Sequence, residues 1–305
     1  MDFPKTKTIE PAEPNNLLYW WLGLAILILN KIRHSIRGYK NPRHYAFEEY
    51  NRVIDYNFHV VNNWQKMLKT YRDANFSYTD KRILELGPGD NLGTGLILLA
   101  SGADSYSAFD INPLIDNCPH DFYNHLFNRI EKEIPTANIA ELDDELNQLD
   151  KKTGKLKYLC NDKLDLSKST DSQFDLILSQ AVFEHFEDID RVICNVSKAA
   201  CPGAILVAEV DLMTHTRFIR SRDPLNIYRY PAWLYRLMKF PGIPNRIRPG
   251  EYTEILEKYG WGSIVIYPLS VVSDDYLSKT RVAKEFRCET IDMNSLSIFI
   301  CATKE

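Results

Sequence analysis

The sequence of 305 residues predicts an α/β fold: a mostly parallel sheet of seven strands with helices on both faces, preceded by an N-terminal hydrophobic and helical extension. Two patterns predict it. From about residue 79 onward, short apolar runs alternate with helical patterns, which is typical of parallel strands joined by crossover helices. Before that point, an uncharged apolar stretch precedes a segment with amphipathic helical spacing. With 45% hydrophobic residues the chain can bury a sizeable core, so disorder of the whole chain is excluded.

The overall charge argues against a protein that binds duplex nucleic acid through its general field. Lysine and arginine number 37 and aspartate and glutamate 41, which gives a net charge of -4. The 6 cysteines are dispersed without any C-x-x-C pair, so neither a zinc knuckle nor a dithiol motif is present. They are typical of free thiols in a reducing compartment, and we expect a cytoplasmic protein.

Residues 1–43 form the predicted extension, which is built around the uncharged apolar stretch Leu17–Leu29. This stretch is shorter than the roughly 20 residues that usually span a membrane, and no small-residue cleavage site follows it. Aromatic residues at its beginning and cations behind it predict an interfacial or short spanning anchor on the cytoplasmic face. The alternative is a hydrophobic helix docked on its own domain or on a partner chain. The cations are Lys31, Arg33, Arg37, Lys40 and Arg43.

Residues 44–78 are predicted to form a helical cap. Apolar residues recur there at spacings of three and four from His44 to about Tyr71, which predicts one or two amphipathic helices. The main domain then occupies residues 79–305. Its seven predicted strands are Arg82–Leu86, Ser105–Phe109, Lys157–Cys160, Phe174–Ser179, Ala204–Val210, Ser263–Tyr267 and Leu296–Ala302.

Two insertions lengthen the connections between these strands. The first, at about 116–154, contains helical patterns around Phe122–Ile134 and Ile139–Leu149 and is expected to be a solvated helix pair. The second, at about 214–249, is rich in aromatic residues, arginine and proline and precedes a predicted helix at Glu251–Tyr259. Loops at the carboxyl ends of the strands surround the site in open α/β sheets, so we expect the second insertion to select the substrate.

The most informative segment is the turn Glu85-Leu86-Gly87-Pro88-Gly89, which follows the first strand of the main domain. Its glycines lack the Cβ atoms that would block a ligand's approach to the backbone, and the next helix presents its N-terminal amides to that ligand. The spacing departs from the G-x-G-x-x-G of dinucleotide-binding proteins, because the third glycine position is Leu92. Glu85 is also unfavourable beside a pyrophosphate and favours a cationic ligand.

This E-x-G-x-G turn resembles motif I of the class I S-adenosylmethionine-dependent methyltransferases, whose cofactor carries a sulfonium and an ammonium group. Further along the chain, Phe174–Asp188 resembles the fourth motif of the family, and Ala200–Gly203 resembles its turn into strand five. The resemblance covers about 79–305, and these motifs occur in the family's order. It implies a Rossmann-like fold, an enzyme, and S-adenosylmethionine as the cofactor.

The resemblance also implies which residues bind that cofactor. Asp110 ends the strand after Glu85 and corresponds to the residue that accepts both ribose hydroxyls. Other positions correspond to the neighbours of the adenine and of the methionine moiety. The predicted set is Glu85, Gly87, Pro88, Gly89, Asp110, Ile111, Asp162, Lys163, Leu164, Ser179 and Gln180.

Ordinary structural roles remain open for several of these motif residues. Asp110 is equally compatible with capping the turn that follows its strand. Gly93 and Gly95 are compatible with close helix packing alone, and His185 with the first turn of a surface helix.

Methyl transfer is an in-line displacement at carbon, so alignment and exclusion of water supply much of the rate. Because the leaving sulfide is uncharged, the displacement itself requires neither an oxyanion hole nor a metal. An oxygen or nitrogen nucleophile needs a base, and the titratable candidates near the methyl group are Glu184, His185, Asp211 and His215. We favour His185 or His215 as that base.

The second insertion is similar to that of a bacterial methyltransferase subgroup acting on small molecules or saccharides, with an N-R-x-R ending. Its arginines Arg229, Arg246 and Arg248, with Tyr230 and Trp233, suit a phosphorylated or carboxylated sugar or a lipid-linked acceptor. The alternative is that they frame the next helix and fill the core of a lid. Three other function classes stay open: a non-catalytic cofactor-binding subunit, a nicotinamide-dependent oxidoreductase, and a membrane-tethered adaptor.

Overall fold

The computed structural model describes residues 3, 5–37, 46–149, 154–161, 166, 173–288 and 291–305. Their centre is a sheet of eight strands. The strands are β1 (Lys7–Ile9), β2 (Arg82–Leu86), β3 (Ser105–Asp110), β4 (Leu156–Cys160), β5 (Phe174–Gln180), β6 (Ala200–Asp211), β7 (Trp261–Val272) and β8 (Ser295–Lys304). The seven predicted strands are all present, and the mostly parallel sheet is confirmed.

The strand order is β1-β7-β8-β6-β5-β2-β3-β4. Strands β2 to β6 are mutually parallel, whereas β8 runs antiparallel to both of its neighbours, β6 and β7. The eighth strand, β1, comes from the N-terminal extension and pairs parallel with β7, from Lys7 opposite Ser270 to Ile9 opposite Val272. Through β1, the predicted extension contributes a strand to the sheet.

Ten helices of the described residues surround the sheet. They are α1 (Asn16–Arg37), α2 (Tyr50–Tyr71), α3 (Gly93–Ala100), α4 (His120–Glu133), α5 (Ile139–Asn147), α6 (Ile189–Ala199), α7 (Arg217–Arg220), α8 (Ala232–Leu237), α9 (Pro249–Lys258) and α10 (Asp274–Lys279). The predicted helical cap is α2, and the predicted helix pair of the first insertion is α4 and α5.

These helices pack on both faces of the sheet through buried apolar side chains. Helices α2 to α5 share one hydrophobic cluster, in which Trp64 and Leu68 of α2 are fully buried. Helices α6 and α9 share the other, in which α6 contributes Ile193 and Val196. Burial of such side chains is the main favourable contribution to folding, at about 25 cal/mol per Å² of apolar surface. Helices on both faces are thus confirmed.

Helix α1 docks on the second insertion rather than standing apart from the fold. Leu27 is buried in a third cluster with Leu225 and Tyr235 of that insertion. The Tyr230 hydroxyl donates to the Trp20 carbonyl at 3.0 Å. The structure therefore has the docked helix that the sequence left as an alternative. Among the described helices, none combines the length and the apolar character needed to cross a membrane.

The strand order fixes where a ligand binds. Read from one edge, β4-β3-β2-β5-β6 has the order 3-2-1-4-5 of a doubly wound sheet, in which the order of strand addition reverses between β2 and β5. Ligands of such sheets bind outside the carboxyl ends of the strands at this reversal. The turn after β2 and the segment after β5 therefore form the walls of the expected site.

Candidate functional site

Two adjacent cavities lie at this switch point, and the glycine turn separates them. Both are lined by Gly87 and Gly89, and their volumes are about 420 Å³ and about 360 Å³. The backbone at Gly87 has φ +72°, and a Cβ there would lie 2.4 Å from Cγ2 of Val182. At Gly89, with φ +79°, a Cβ would meet no atom within 4 Å. The turn therefore needs glycine at Gly87 for both conformation and space.

The first cavity, of about 420 Å³, contains the predicted residues Glu85, Pro88 and Gln180. Glu85 is buried, and its Oε2 accepts hydrogen bonds from Thr94 Oγ1 at 2.7 Å and from Tyr106 Oη at 2.6 Å. Burial raises the pKa of Glu85 to about 7, although the two hydroxyl donors partly oppose this shift. The carboxylate is thus held in place by the fold and borders the cavity.

The ends of β5 and β2 are held together by Ser179, which is fully buried and donates to the Leu86 carbonyl at 3.2 Å. Gln180 differs, because it lines the first cavity and hydrogen-bonds Glu209. Its Oε1 is buried and has no hydrogen-bond partner among the described residues. A buried, unpartnered amide oxygen is costly, so Gln180 is a ready acceptor for a ligand group in this cavity.

The second cavity, of about 360 Å³, is lined by Asp110, the last residue of β3, and by Ile111, which follows it. Asp110 is 8% exposed, and its Oδ1 accepts from the Asn112 amide at 2.9 Å. Burial raises the pKa of Asp110, against the effect of the backbone amides that bind it. Asp110 therefore both caps its turn and borders the cavity. The predicted residues Asp162, Lys163 and Leu164 lie outside the described part of the chain.

The four predicted catalytic residues come together beside the second cavity. Glu184 and His185 lie on the 3₁₀ turn Phe183–His185 after β5, Asp211 ends β6, and His215 follows it. His185 itself lines the second cavity together with Gly87 and Asp110. The imidazole rings of His185 and His215 are in edge-to-face contact, with centroids 4.8 Å apart. We call these four residues the acidic-histidine cluster.

The carboxylate of Glu184 is the buried centre of this cluster. Glu184 is 1% exposed, and neither of its oxygens has a hydrogen-bond partner among the described residues. The backbone amides of Glu184 and Asp211 lie near it without reaching hydrogen-bonding geometry. The distance from His215 Nε2 to Glu184 Oε1 is 3.9 Å, and that to Asp211 Oδ2 is 3.8 Å. Asp211 also forms an ion pair with Arg220, in which Nη2 of Arg220 lies 2.6 Å from Oδ2 of Asp211.

Burial favours the neutral forms of three members of the cluster, Glu184, His185 and His215. It raises the pKa of Glu184 well above its ordinary value, with a smaller contribution from the charge of Asp211. Burial also lowers the pKa of both histidines below 6.5, more than the neighbouring carboxylates raise it. His185 and His215 are therefore unprotonated at neutral pH and can accept a proton or offer a lone pair.

Sequence reasoning missed residues that cover the cavities from outside the motifs. Arg52, Tyr56 and Asn57 of α2 line the first cavity, so the helical cap forms one of its walls. Their spacing, polar residues one turn apart on an amphipathic helix, was the available signal. The Pro241–Gly242 segment of the second insertion lines the second cavity. A glycine in an irregular insertion carries no such signal.

The arginines of the second insertion serve the fold. Arg229 forms a fully buried ion pair with Asp223, with Nε to Oδ2 at 2.8 Å. Arg246 lies over the ring of Tyr235 at 4.1 Å, and Arg248 is 2% exposed and donates to the Ser295 carbonyl. Their donors are used internally, so the structure has the lid-core alternative and not an open anion site at these three side chains.

The comparisons with known proteins agree with the motifs. The family model described as "Methyltransferase domain" matches residues 126–208, which is less than a third of the chain. That range includes β4, β5 and most of β6 with Glu184 and His185, and it begins after the glycine turn and Asp110. A search of curated proteins finds no match.

Several solved structures are similar to this chain. The CurJ carbon methyltransferase is 15% identical, over 81% of this chain and 53% of its own, with a TM-score of 0.42. Phosphoethanolamine N-methyltransferase 2 of Haemonchus contortus is 13% identical, over 82% and 52%, with a TM-score of 0.44. A methyltransferase from Archaeoglobus fulgidus is 16% identical, over 80% and 94%, also at 0.44. The chain spans about half the length of the first two.

The family match and the strand order of the sheet point to the same class of fold. Both agree with the motif order that the sequence displays. Residues 126–208 are therefore similar to a methyltransferase domain, and the strands within and beside this range have the order of a doubly wound, Rossmann-like sheet.

Proposed function

We propose that this protein transfers the methyl group of S-adenosylmethionine to an oxygen or nitrogen atom of a small-molecule, saccharide or lipid-linked acceptor. The observation that carries the proposal is the composition of the second cavity. It is lined at once by the glycine turn, by Asp110 and by His185 of the acidic-histidine cluster. Cofactor-binding residues and candidate proton acceptors thus border one space, as a displacement between two bound partners requires.

In this proposal the cofactor extends across both cavities. Its methionine moiety occupies the first, where Glu85 offers a carboxylate and Gln180 an unpartnered amide oxygen to the ammonium group. Its ribose hydroxyls bind Asp110 in the second cavity, and its adenine contacts Ile111 there. Gly87 and Gly89 let the cofactor approach the backbone between the two cavities.

The acceptor binds at the acidic-histidine cluster, and its nucleophilic atom faces the methyl group from the side opposite the sulfur. His185 and His215 are the bases, because their lowered pKa leaves both imidazoles unprotonated at neutral pH. Asp211 then favours the imidazolium that forms on His215, since its Oδ2 lies 3.8 Å from His215 Nε2. The second insertion borders this side of the cavity through Pro241–Gly242.

The test is incubation of the purified protein with S-adenosylmethionine labelled in its methyl group and with fractionated cell extract. We expect label in the small-molecule, saccharide or lipid fraction, and its loss in a variant with both His185→Ala and His215→Ala. Calorimetry with S-adenosylmethionine should show unchanged binding in that double variant. Cofactor binding without transfer to any fraction would favour the non-catalytic subunit instead. Quenching of reduced nicotinamide fluorescence by the protein would favour an oxidoreductase.

We also propose that α1 binds the surface of an anionic membrane while its other face stays docked on the domain. Its undocked face is an apolar stripe at helical spacing, in which Trp21 is 60%, Leu29 64% and Ile36 77% exposed. The exposed cation Arg33 lies among these residues, which suits anionic headgroups. The stripe is Leu18, Trp21, Ala25, Leu29, Ile32 and Ile36.

Sedimentation with phosphatidylcholine vesicles, with and without phosphatidylglycerol, tests this surface. We expect binding that strengthens with phosphatidylglycerol and weakens with salt, and that a Leu29→Ser, Ile32→Ser double variant abolishes. The control is Phe47→Ser, which removes an apolar side chain of similar exposure outside α1. Equal binding by the α1 variant and the control would exclude the α1 stripe as the contact.

A further inference from the structure

Three side chains of the acidic-histidine cluster form a set of metal-ligand type. Glu184, His185 and His215 each offer one ligand atom, and these atoms all lie within 4.8 Å of one another. Ligand atoms around a tetrahedral ion are separated by about 3.4 Å, given bonds of about 2.1 Å, so each of the two most distant side chains would move by roughly 0.7 Å. Closing the set around an ion therefore needs side-chain movements of less than about 1 Å, and the His215 side chain is 33% exposed.

The Nδ1 atom of each histidine lies beside a backbone carbonyl oxygen. Nδ1 of His185 lies 2.7 Å from the Gly242 carbonyl oxygen, and Nδ1 of His215 lies 3.1 Å from that of Met213. Because a carbonyl oxygen can only accept, Nδ1 carries the proton in each neutral ring. The lone pair is then on Nε2, and the hydrogen bond at Nδ1 fixes the ring. Metal-ligating histidines characteristically donate their second ring N–H in this way.

Glu184 supplies the second, independent observation. It is 1% exposed, and neither carboxylate oxygen has a hydrogen-bond partner among the residues that the structure describes. A buried carboxylate without partners is strongly unfavourable, whereas one that coordinates a cation is fully compensated. The backbone at Glu184 is fixed, because its carbonyl accepts from the Asn245 amide at 2.7 Å. Asn245 also binds the Phe183 and Phe186 carbonyls, which fixes the turn on both sides.

We propose that Glu184, His185 and His215 bind a divalent transition-metal ion of the zinc type, with the remaining coordination positions open to the methyl acceptor. Two imidazoles and one carboxylate are the ligand types that such ions prefer, whereas Mg²⁺ and Ca²⁺ prefer oxygen ligands alone. Asp211 lies 3.8 Å from His215 Nε2 but is engaged by Arg220 at 2.6 Å, so it belongs to the surroundings of the site rather than to its ligands.

The metal site deepens the proposed function and rests on it for the identity of the ion's fourth partner. A hydroxyl of the acceptor that coordinates the ion has a lowered pKa. Its O–H bond breaks with transfer of the proton to the Asp211 carboxylate, and the oxygen forms the new bond to the methyl carbon. The sulfur–methyl bond breaks at the same time and leaves its electron pair on sulfur. In this form His185 and His215 act as ligands and no longer as bases.

Zinc binding to the full chain, prepared without a histidine tag and stripped with a chelator, tests the inference directly. We expect one Zn²⁺ per chain in a competition titration with a chromophoric chelator, and no binding of Mg²⁺ at the same concentration. His215→Ala and His185→Ala should each weaken Zn²⁺ binding by about 100-fold. The matched control is His125→Ala, which removes a histidine that faces Asp121 on the surface of α4, with Nε2 to Oδ2 at 3.8 Å.

The outcomes separate this inference from the proposed function. Absence of Zn²⁺ binding, or equal affinity in His125→Ala and His215→Ala, overturns the metal site even where methyl transfer is observed. Zinc binding that the cluster variants lose establishes the site even where no acceptor is methylated, in which case the proposed function alone has failed. Glu184→Gln, which keeps size and shape, should lower affinity while thermal unfolding stays cooperative. Absorption of bound Co²⁺ reports nitrogen ligands independently of activity.

Discussion

Gly87 is constrained both by its backbone conformation and by the space around it. A substitution there is therefore the most direct test of the cofactor site. Replacement by valine forces a Cβ into a left-handed backbone at φ +72° and places it 2.4 Å from Val182. We expect Gly87→Val to lower S-adenosylmethionine affinity by more than about 100-fold, equivalent to about 3 kcal/mol, in isothermal titration calorimetry.

Gly203 provides the matched control for that substitution. It lies near the beginning of β6 and has a similar backbone conformation, with φ +81°. A Cβ there would meet no atom within 4 Å. Gly203→Val therefore carries the backbone strain without the clash at the switch point, and it should keep cofactor affinity. Retained affinity in Gly87→Val would place the cofactor elsewhere.

Asp110 permits a gentler test because its role divides between charge and geometry. Asp110→Asn keeps an oxygen that accepts from the Asn112 amide but loses the charge that favours two ribose hydroxyls. We expect about a tenfold loss of S-adenosylmethionine affinity, or about 1.4 kcal/mol, with less than about 0.5 kcal/mol change in unfolding free energy. Asp104→Asn, on the surface before β3, is the control. An equal loss in both variants would contradict a ribose contact.

The predictability of individual site residues depended on whether they stand in motifs. Glu184, His185, Asp211 and His215 were all predicted, and the structure brings them together because β5 and β6 are adjacent parallel strands that end at one edge. Tyr56 of α2 was not predicted, since its place at the first cavity depends on how a helix from another part of the chain packs. Short-range patterns do not contain that information.

At the scale of elements, the sequence predicted the strands of the main domain well because each is an apolar run in an alternating pattern. It missed β1, in which three residues, Lys7–Ile9, pair with the edge strand β7. Such a strand is too short for a hydrophobic period and exists only through its pairing partner. The apolar stretch in α1 was predicted, but the sequence did not show that one face of the helix is buried and the other exposed. Apolar residues occur on all sides of α1, so only its packing against the domain determines which of them are buried.

Helix α1 therefore offers a pair of identical residues with opposite environments. Leu27 is 5% exposed in the cluster with Leu225, whereas Leu29, half a turn away, is 64% exposed. We expect Leu27→Ala to lower the free energy of unfolding by about 2 to 3 kcal/mol and Leu29→Ala to change it by less than about 0.5 kcal/mol. Urea denaturation of both variants measures the difference. Similar small losses in both would mean that α1 is not docked on the second insertion.

For the whole molecule, the fold concentrates buried titratable groups at one edge of the sheet. Glu85, Asp110, Glu184 and Glu209 all have their pKa raised by burial, and all lie at or beside the carboxyl ends of β2, β3, β5 and β6. Elsewhere in the described chain, Asp175 and Asp190 have their pKa lowered by the cations they bind. Burial of these carboxyl groups at the switch point therefore lowers the stability of the fold at neutral pH. The same groups provide a polar site that suits a cationic cofactor.

Glu85 makes this cost measurable through the pH dependence of global unfolding. Its pKa is about 7 in the folded protein against 4.5 ordinarily, so between these values the folded state binds more protons than the unfolded state. The free energy of unfolding therefore falls as pH rises through this window. The total loss is about 3 kcal/mol and is nearly complete above pH 7. Glu85→Gln keeps an oxygen for the Thr94 and Tyr106 hydroxyls but does not titrate.

We therefore expect wild type to lose about 3 kcal/mol of unfolding free energy relative to Glu85→Gln between pH 4.5 and pH 7.5, measured by urea denaturation without cofactor. Taking the difference between the two proteins cancels every other group that titrates in both. A difference that does not change with pH would show that Glu85 is ionised throughout the range and already paired inside the fold. A difference of opposite sign would mean that its folded pKa lies below 4.5.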